Sequence, residues 1–349
     1  MKTKLLIWWI DDERDRLTPA AQRAIEKPTH PSLNHRRAHL ELKHVGTDVE
    51  TKAIVSEMVE AAKVKQLPDI VVIDQILNVK SSDGAVERGS SLAVRLRVQG
   101  PSVPFVGVTG VPFERIASLQ KNQFIELFSR DAVHKGDCIP DLFAIADGFA
   151  TAIKASFKLT GKATHRKKLI DLLDAPEEDA ELLYPCIPGA FQCRWDDETP
   201  HAFARWIWHF LMGRPGFLYD DLEAATLVGL NENGLERIAA QLRGCEYDGV
   251  FASVSRRRWW VSKVRSKVRD LTGADASEPL WLLGRRIAKN QRKLFSRCYG
   301  GTSTDAPNVV AFADDSLRKR VQTRIQDSAP LDADTPPLGF EQRRIFSGK

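Results

Sequence analysis

The chain lacks any long apolar segment. Across its 349 residues, no run approaches the roughly 18 uninterrupted apolar residues that a membrane helix needs. The start, MKTKLLIWWIDDE, reaches acidic residues too early for a signal peptide with a small-residue cleavage site. We therefore expect a globular, cytoplasmic protein without a membrane partner. Because the chain is 43% hydrophobic and long for a single core, we also expect two domains.

The sequence is also poor in patterned cysteine. Its five cysteines are odd in number and lack both C-x-x-C pairs and Cys/His zinc spacing. Reduced thiols in a reducing compartment are the simpler interpretation. The cysteines are Cys138, Cys186, Cys193, Cys245 and Cys298.

Common catalytic motifs are missing as well. There is no P-loop, no G-x-S-x-G, no H-E-x-x-H, no protein-kinase signature and no GGDEF or HD pattern. No G-x-G-x-x-G follows the first apolar run, which disfavours a dinucleotide-binding fold. We therefore predict no enzymatic output domain.

The first 157 residues alternate short apolar runs with longer amphipathic segments, which is typical of strands and helices around a parallel sheet. The runs are continuous instead of alternating, as expected for strands that helices cover on both faces. The five strand candidates are LLIWWI (5–10), HLELKHV (39–45), DIVVID (69–74), VPFVGVT (103–109) and DAVHK (131–135).

Polar residues stand at the carboxyl-terminal tips of four of these strand candidates. They are Asp11 and Asp12, Asp74, Thr109 and Lys135. Because ligands of open α/β sheets bind outside the carboxyl ends of the strands, we expect these side chains to share one crevice. A cluster of carboxylate oxygens suits Mg²⁺, which takes one or two carboxylates together with a phosphate.

Four segments, WWIDDE, PDIVVIDQIL, VPFVGVTG and AVHKG, resemble in this order the receiver domain of two-component response regulators. The resemblance covers about residues 1–155. It implies a flavodoxin-like, doubly wound, five-stranded parallel sheet. It also implies a histidine kinase, a phosphotransfer protein or a small phosphodonor as the source of a phosphoryl group.

The resemblance assigns roles to individual residues. Asp74 would accept the phosphoryl group, and Asp11, Asp12, Asp74 and the backbone carbonyl of Ile76 would bind Mg²⁺. Thr109 would follow the phosphate with its hydroxyl, and Lys135 would pair with it.

The chain also departs from the receiver pattern. Gly136 stands where receivers usually have proline, and Ala132 where an aromatic residue is common. A degenerate receiver that is never phosphorylated and acts as a scaffold is the alternative.

Beyond residue 157 the pattern changes. We interpret 158–180 as a linker, 181–302 as a mainly helical output domain and 303–349 as a partly disordered tail. YDGVFASV (247–254) is the one strand candidate there, and DSLRKRVQTRI near the end has the pattern of a helix.

Charge is distributed unevenly in this half. Residues 174–249 hold 5 Lys and Arg against 15 Asp and Glu, whereas residues 250–300 hold 13 against 3. The basic segment 256–269 could contact a phosphate backbone or a partner, or it could pair with the acidic region while Val261, Val264 and Val268 face the core. Its candidate contact residues are Arg256, Arg257, Arg258, Lys263 and Arg265.

Within 221–243, the spacing of Ala225, Gly229 and Leu235 is that of a helix-turn-helix. Glu232 and Glu236 oppose DNA binding by the second helix, and a helical hairpin in a core explains the same spacing. His201 and His209 stand apart from any ligand constellation, so we expect core or interface histidines.

The leading hypothesis is a response regulator, phosphorylated on Asp74 with Mg²⁺, whose helical half signals through contacts with a protein target. A DNA-binding transcriptional regulator is the alternative, and the inert scaffold is the second alternative.

Overall fold

The structure is a computed structural model that describes residues 4–13, 17–29, 33, 36–80, 86–99, 103–155, 162–193, 195, 199–213, 216–253, 256–297, 309–314 and 319–324. Two compact units make up the chain. Unit 1 comprises 1–173, 187–208 and 249–255, and unit 2 comprises 174–186, 209–248 and 256–349. These units divide the chain differently from the boundaries at 157, 180 and 302 that the sequence pattern indicates.

The strands of both units are short. They are β1 (Lys4–Asp11), β2 (Arg37–His44), β3 (Ile70–Asp74), β4 (Ile76–Lys80), β5 (Val86–Arg88), β6 (Phe105–Thr109), β7 (Leu127–Ser129), β8 (Leu218–Tyr219), β9 (Trp259–Trp260), β10 (Val309–Asp314) and β11 (Lys319–Arg324).

The helices vary in length from one to about four turns. They are α1 (Pro19–Glu26), α2 (Asp48–Lys63), α3 (Gly89–Gln99), α4 (Ser118–Lys121), α5 (Arg130–Lys135), α6 (Ile139–Lys154), α7 (Lys162–Leu172), α8 (Glu177–Leu183), α9 (Thr199–Trp206), α10 (Asp221–Leu227), α11 (Glu232–Ile238), α12 (Val261–Thr272) and α13 (Leu280–Ile287). A π-helical turn, Ile207–Leu211, continues α9.

Unit 1 is built on a five-stranded sheet in the order β2-β1-β3-β6-β7, with every neighbouring pair parallel. Counting only the strands of this sheet, the order is 2-1-3-4-5, that of the flavodoxin-like doubly wound fold. The predicted fold class of the N-terminal half is thus confirmed, and the receiver topology with it.

The central strands are buried along their length, because helices cover both sheet faces. All five residues of β3 and of β6 are buried, and Trp8 and Trp9 of β1 are 2% and 4% exposed. Trp8 belongs to a cluster of buried apolar side chains with α2 and α3, and the Lys43 ammonium lies 4.5 Å from its ring centroid. The apolar run that opens the chain is therefore a core strand, as its continuous pattern predicts.

The fifth strand was predicted in the wrong place. Residues 131–135 belong to helix α5, and the edge strand is β7, immediately before it. Ser129 caps α5 by accepting a hydrogen bond from the Ala132 amide at 3.2 Å, and Gly136 ends it with a φ of 82°. This capping sequence stops the strand at Ser129, so Lys135 lies in the last turn of a helix.

Unit 2 is mainly helical in the part that the structure describes. Helices α10 to α13 surround a core with β8 and β9, which form a two-stranded antiparallel sheet. Val261, Val264 and Val268 are buried, as their helical spacing predicts.

Two local predictions for the C-terminal half are wrong. Residues 247–254 form no strand over the described part, 247–253, and Phe251 has a φ of 64°, which a strand does not allow. The helix expected near 315–325 is replaced by β11, which pairs antiparallel with β10. The remainder of the expected disordered tail lies outside the described residues.

The described residues include no helix with the length and hydropathy required to cross a bilayer. The predicted cytoplasmic location stays a prediction.

Candidate functional site

Three carboxylates meet at the carboxyl edge of the unit 1 sheet. Asp11 ends β1 and Asp74 ends β3, and these strands are parallel neighbours with Ile10 opposite Ile73. Asp12 follows β1 directly. One oxygen from each of the three carboxylates lies within 4.8 Å of the others. The convergence predicted from the sequence for the three acids is therefore present.

Burial makes this concentration of negative charge costly. Asp11 is 8% exposed and Asp74 only 2%, so little water screens the repulsion between them. A stable arrangement requires a positive partner. Three hard oxygen donors in one place match the ligand preference of Mg²⁺, so the donor set fits the predicted metal.

Arg130 supplies positive charge on the protein side of the site. Its Nη2 atom lies 2.9 Å from Oδ2 of Asp74, in an ion pair whose side chains are 20% and 2% exposed. Arg130 is the first residue of α5 and directly follows edge strand β7. It thus lies one residue beyond the tip of the fifth strand, where the resemblance places the cation of the site.

Lys135 does not have the position that we predicted for it. It is exposed in the last turn of α5, five residues beyond Arg130. Among the described residues, the ion pair of Asp74 is with Arg130. Sequence reasoning missed Arg130. The segment Ser-Arg-Asp-Ala nevertheless carries a usable signal, since a capping serine followed by an acid in the first turn marks the start of a helix.

Thr109 is positioned as predicted, at the end of β6. This strand pairs with β3 so that Val108 lies opposite Asp74, and Thr109 is 1% exposed. Its hydroxyl oxygen accepts a hydrogen bond from the Val111 amide at 3.0 Å. The hydroxyl is therefore held at the edge of the sheet where the acids converge.

Ile76 begins a hairpin that leaves the sheet beside the site. It lies in β4, which pairs antiparallel with β5. The Gly89 amide donates to the Gln75 carbonyl at 3.1 Å, and a Cβ atom on Gly89 would lie 2.0 Å from the Asp74 carbonyl oxygen. Helix α3 thus starts against the backbone of Asp74. The role of the Ile76 carbonyl as a metal ligand stays a prediction.

Helix α9 contacts the segment between α4 and β7 within unit 1. The Arg205 guanidinium donates to the carbonyls of Phe124 at 2.6 Å and Lys121 at 3.3 Å. The Trp208 indole donates to a carboxylate oxygen of Glu126 at 2.5 Å. The segment that leads into β7 and Arg130 is thereby bonded to residues that we had assigned to the output domain.

His201 is a core residue, as expected. It is 4% exposed, and its ring stacks on Phe105 and tilts against Phe149 with centroid distances of 5.7 and 4.8 Å. His201 therefore helps to pack α9 against β6 and α6.

The basic candidates in unit 2 are largely engaged within the unit. Arg257 forms hydrogen-bonded ion pairs with Asp221 at 2.8 Å and Glu236 at 2.8 Å, and Lys263 lies 3.6 Å from Asp174. Arg258 donates to the Met212 carbonyl. Arg265 is exposed, and Arg256 is half-buried. Internal pairing, one of the two interpretations of the charge asymmetry, thus holds for Arg257 and Lys263.

The spacing around Gly229 does produce a pair of helices. Helices α10 and α11 flank Gly229, whose φ is 72°, and a Cβ atom there would lie 2.5 Å from the Trp281 carbonyl oxygen. Leu235 and Ile238 are buried in the unit 2 core. The predicted spacing therefore corresponds to two helices joined by a turn at Gly229.

No protein-family model matches the chain, and no curated protein is similar to it. Among solved structures, the chain is similar to the N-terminal domain of a response regulator/sensory box/GGDEF three-domain protein from Carboxydothermus hydrogenoformans, with 15% identity and a TM-score of 0.28. The match covers 43% of this chain and 97% of that one.

The chain is also similar to the response regulator RcsB of Salmonella typhimurium, described for its conformational dynamism in DNA interaction. Here the identity is 10%, the TM-score is 0.30, and the match covers 58% of this chain and 98% of that one. Similarity at this level supports no statement about function, and the fold assignment rests on the strand order of the sheet.

Proposed function

We propose that unit 1 receives a phosphoryl group on Asp74 and that the chain is a signalling protein of the response-regulator type. The observation that carries the proposal is the convergence of Asp11, Asp12 and Asp74 at the sheet edge, with Arg130 paired to Asp74. A structural ion pair would need one acid and one base. Two further acids at the same point favour a site for a cation and an anionic group.

The reaction would transfer a phosphoryl group from a nitrogen or oxygen atom of the donor to a carboxylate oxygen of Asp74. An oxygen of Asp74 attacks phosphorus, the bond from phosphorus to the donor breaks, and the leaving group retains the electron pair. An imidazole leaving group takes up a proton, whereas the carboxylate released from an acyl phosphate leaves as the anion. The product is an aspartyl phosphate, a mixed anhydride. Phosphohistidine of a histidine kinase or phosphotransfer protein, or a small acyl phosphate, would be the donor.

Asp11, Asp12 and Asp74 would hold Mg²⁺, which supplies neutralisation of the phosphoryl oxygens. Arg130 would release Oδ2 of Asp74 if that oxygen is the one phosphorylated, and its guanidinium could then bind the new phosphoryl oxygens. Thr109 offers a hydroxyl on the neighbouring strand tip as a further donor to the phosphoryl group.

Movement of Arg130 offers a route for the signal. Arg130 follows β7, and the residues that lead into β7 are bonded to α9 through Arg205 and Trp208. A shift at the start of α5 would move the segment that leads into β7, and α9 would have to follow because it is bonded to that segment. We propose that α9 reports the state of Asp74 to the rest of the chain, which then acts on a protein target.

The test is phosphorylation by acetyl phosphate with Mg²⁺, read on a phosphate-retarding gel, with Asp74→Asn as the negative variant. Arg130→Ala and Lys135→Ala form a matched pair, because each removes one cation from α5. We expect Asp74→Asn to lose the retarded band, Arg130→Ala to form it at least about tenfold more slowly, since a charge contact to the transferred group is lost, and Lys135→Ala to behave as the parent protein.

An absent band in the parent protein, both with acetyl phosphate and with a phosphohistidine donor, would overturn the proposal and leave the scaffold alternative. Equal rates for Arg130→Ala and Lys135→Ala would remove Arg130 from the mechanism.

A further inference from the structure

The segment 285–297 of unit 2, which we call the basic turn, carries positive charge without nearby acids in sequence. No aspartate or glutamate occurs from 279 to 304. The basic residues are Arg285, Arg286, Lys289, Arg292, Lys293 and Arg297. This run is separate from the basic segment 256–269, which contains all five candidate contact residues that the sequence analysis names.

The backbone of the basic turn is fixed in an unusual conformation. Lys289 and Asn290 have φ values of 54° and 53°, both in the left-handed region. The Asn290 amide donates to the Arg285 carbonyl at 2.9 Å and closes the end of α13. A left-handed lysine is strained, so surrounding contacts must hold it there.

Further contacts of the basic turn are made with the turn between α10 and α11. The Asn231 amide donates to the Leu294 carbonyl, and its side-chain nitrogen donates to the Lys293 carbonyl, both at 2.9 Å. The Ser296 amide donates to the Gly229 carbonyl at 3.1 Å. The basic turn is therefore bonded on its inner side to the helix pair.

Arg285 contributes to this anchoring instead of to the surface. It is 8% exposed, and its guanidinium carbon lies 4.8 and 4.5 Å from the ring centroids of Trp281 and Phe295. With Arg285 turned inward, the exposed charges of the basic turn are Arg286 near the end of α13 and the cations that follow the helix.

Four cations of the basic turn point to solvent and lack ion-pair partners among the described residues. Lys289, Arg292, Lys293 and Arg297 are all exposed. In the described part of the chain, no carboxylate lies within 4.0 Å of any of them, whereas Arg286 pairs with Glu278 at 2.6 Å. The contrast with Arg257 is direct, because Arg257 is bound by two acids of its own unit.

We propose that the basic turn binds the sugar-phosphate backbone of a nucleic acid. Lysine and arginine on a fixed loop neutralise phosphates without reading bases, and such contacts provide most of the affinity for nonspecific sites. The basic turn is bonded to α10 and α11, two helices joined at Gly229, and DNA-binding domains also use pairs of helices joined by a turn.

A membrane surface fits this segment less well. Binding to a bilayer interface requires apolar side chains that insert beside the charges. The structure describes all of 280–297. In this segment Leu283, Leu294 and Phe295 are buried, and no large apolar side chain is exposed. The basic turn therefore has the charge for a polyanion but no apolar anchor.

The experiment uses the full chain without phosphorylation, so that its outcome does not depend on Asp74. Anisotropy of a labelled random-sequence DNA duplex, at about 50 and about 200 mM salt, gives the affinity and its salt slope. A duplex RNA of the same sequence distinguishes the two sources of phosphate backbone, and vesicles containing phosphatidylserine test the membrane.

The variant combines Lys289→Ala, Arg292→Ala and Lys293→Ala. The matched control combines Lys52→Ala, Lys167→Ala and Lys168→Ala, which removes three exposed cations from unit 1. Amide hydrogen exchange of α10 and α11 checks that the variant is folded.

We expect the variant to lose at least about tenfold in duplex affinity at the lower salt, with a salt slope smaller by about 2 to 3, as removal of three phosphate contacts requires. The control should change affinity by less than about threefold, because its cations lie outside the contact. Absence of duplex binding by the parent protein, equal losses in variant and control, or preferential binding to vesicles would each overturn the proposal.

Discussion

The two units treat like charges in opposite ways. In unit 1, three carboxylates converge at one sheet edge, and Arg130 forms an ion pair with Asp74. In unit 2, Asp221 of α10 and Glu236 of α11 share Arg257, so that the charges of these two acids are compensated within the unit. Acids bound by a base of their own unit stabilise a fold, while several acids gathered at one point favour the binding of a cation. The comparison separates structural charge from functional charge.

A buried acid in unit 2 should give the largest measurable effect. Burial raises the pKa of Glu223 to about 8. A carboxyl whose pKa is higher in the folded state binds its proton more tightly there, so the free energy of unfolding is highest at low pH and falls as the pH rises. Between about pH 5 and pH 8 we expect unit 2 to lose about 3 kcal/mol.

Hydrogen exchange of unit 2 amides across this pH range measures the effect, after correction for intrinsic exchange. Glu223→Gln keeps the volume and cannot titrate, so it should flatten the dependence. A parent protein whose unit 2 gains stability above pH 5 would contradict the prediction.

Gly89→Ala should damage the candidate site through the backbone. The added methyl group would meet the Asp74 carbonyl oxygen, which no rotamer change can move away. We expect a loss of about 2 to 3 kcal/mol in the stability of unit 1 and a slower phosphorylation of Asp74. Gly189→Ala, where no atom lies within 4 Å of the added carbon, is the matched control. Equal denaturation midpoints for the two variants would refute the prediction.

Much of unit 1 could be predicted because its signals are local. Strands β1 and β3 are continuous apolar runs, and each ends in an acid, which is enough to place Asp11, Asp12 and Asp74 at one edge. Strand β7 has only three residues, Leu127–Ser129, and its short run is less conspicuous than the longer segment after it. Arg130 was missed for that reason, since its role depends on where the strand ends.

The charges of unit 2 illustrate the other limit. Counting residues shows an acidic and a basic region, but it does not tell which members pair. Arg257 reaches Asp221 and Glu236, 36 and 21 positions away, whereas Lys293 reaches neither. Long-range packing makes that choice, and a single sequence does not carry it.

Removal of Arg257 tests whether the charges of unit 2 are structural. Arg257→Ala leaves Asp221 and Glu236 close together without their shared partner and removes the contact with the Trp259 ring at 5.0 Å. Because these side chains are partly exposed, we expect a modest loss of about 1 to 2 kcal/mol in unit 2 stability. Arg265→Ala, a change at an exposed residue, should stay within about 0.5 kcal/mol.

Denaturant unfolding followed by hydrogen exchange in α10 and α11 distinguishes the two variants. If Arg265→Ala were as damaging as Arg257→Ala, pairing would not be what holds the acids of unit 2.

Mg²⁺ should stabilise unit 1 by reducing the repulsion between Asp11, Asp12 and Asp74, as Arg257 reduces the repulsion between Asp221 and Glu236 in unit 2. At about five times its dissociation constant, a ligand that binds only the folded state adds about 1 kcal/mol to the free energy of unfolding. Asp12→Asn removes one carboxylate of the cluster and should lose most of this gain, while raising stability without metal because one like charge is gone. Asp131→Asn, a change at an exposed acid on α5 outside the cluster, is the control.

Thermal unfolding with and without Mg²⁺ measures both effects. An equal Mg²⁺-dependent shift in the two variants would mean that the carboxylates at the sheet edge are not the metal site.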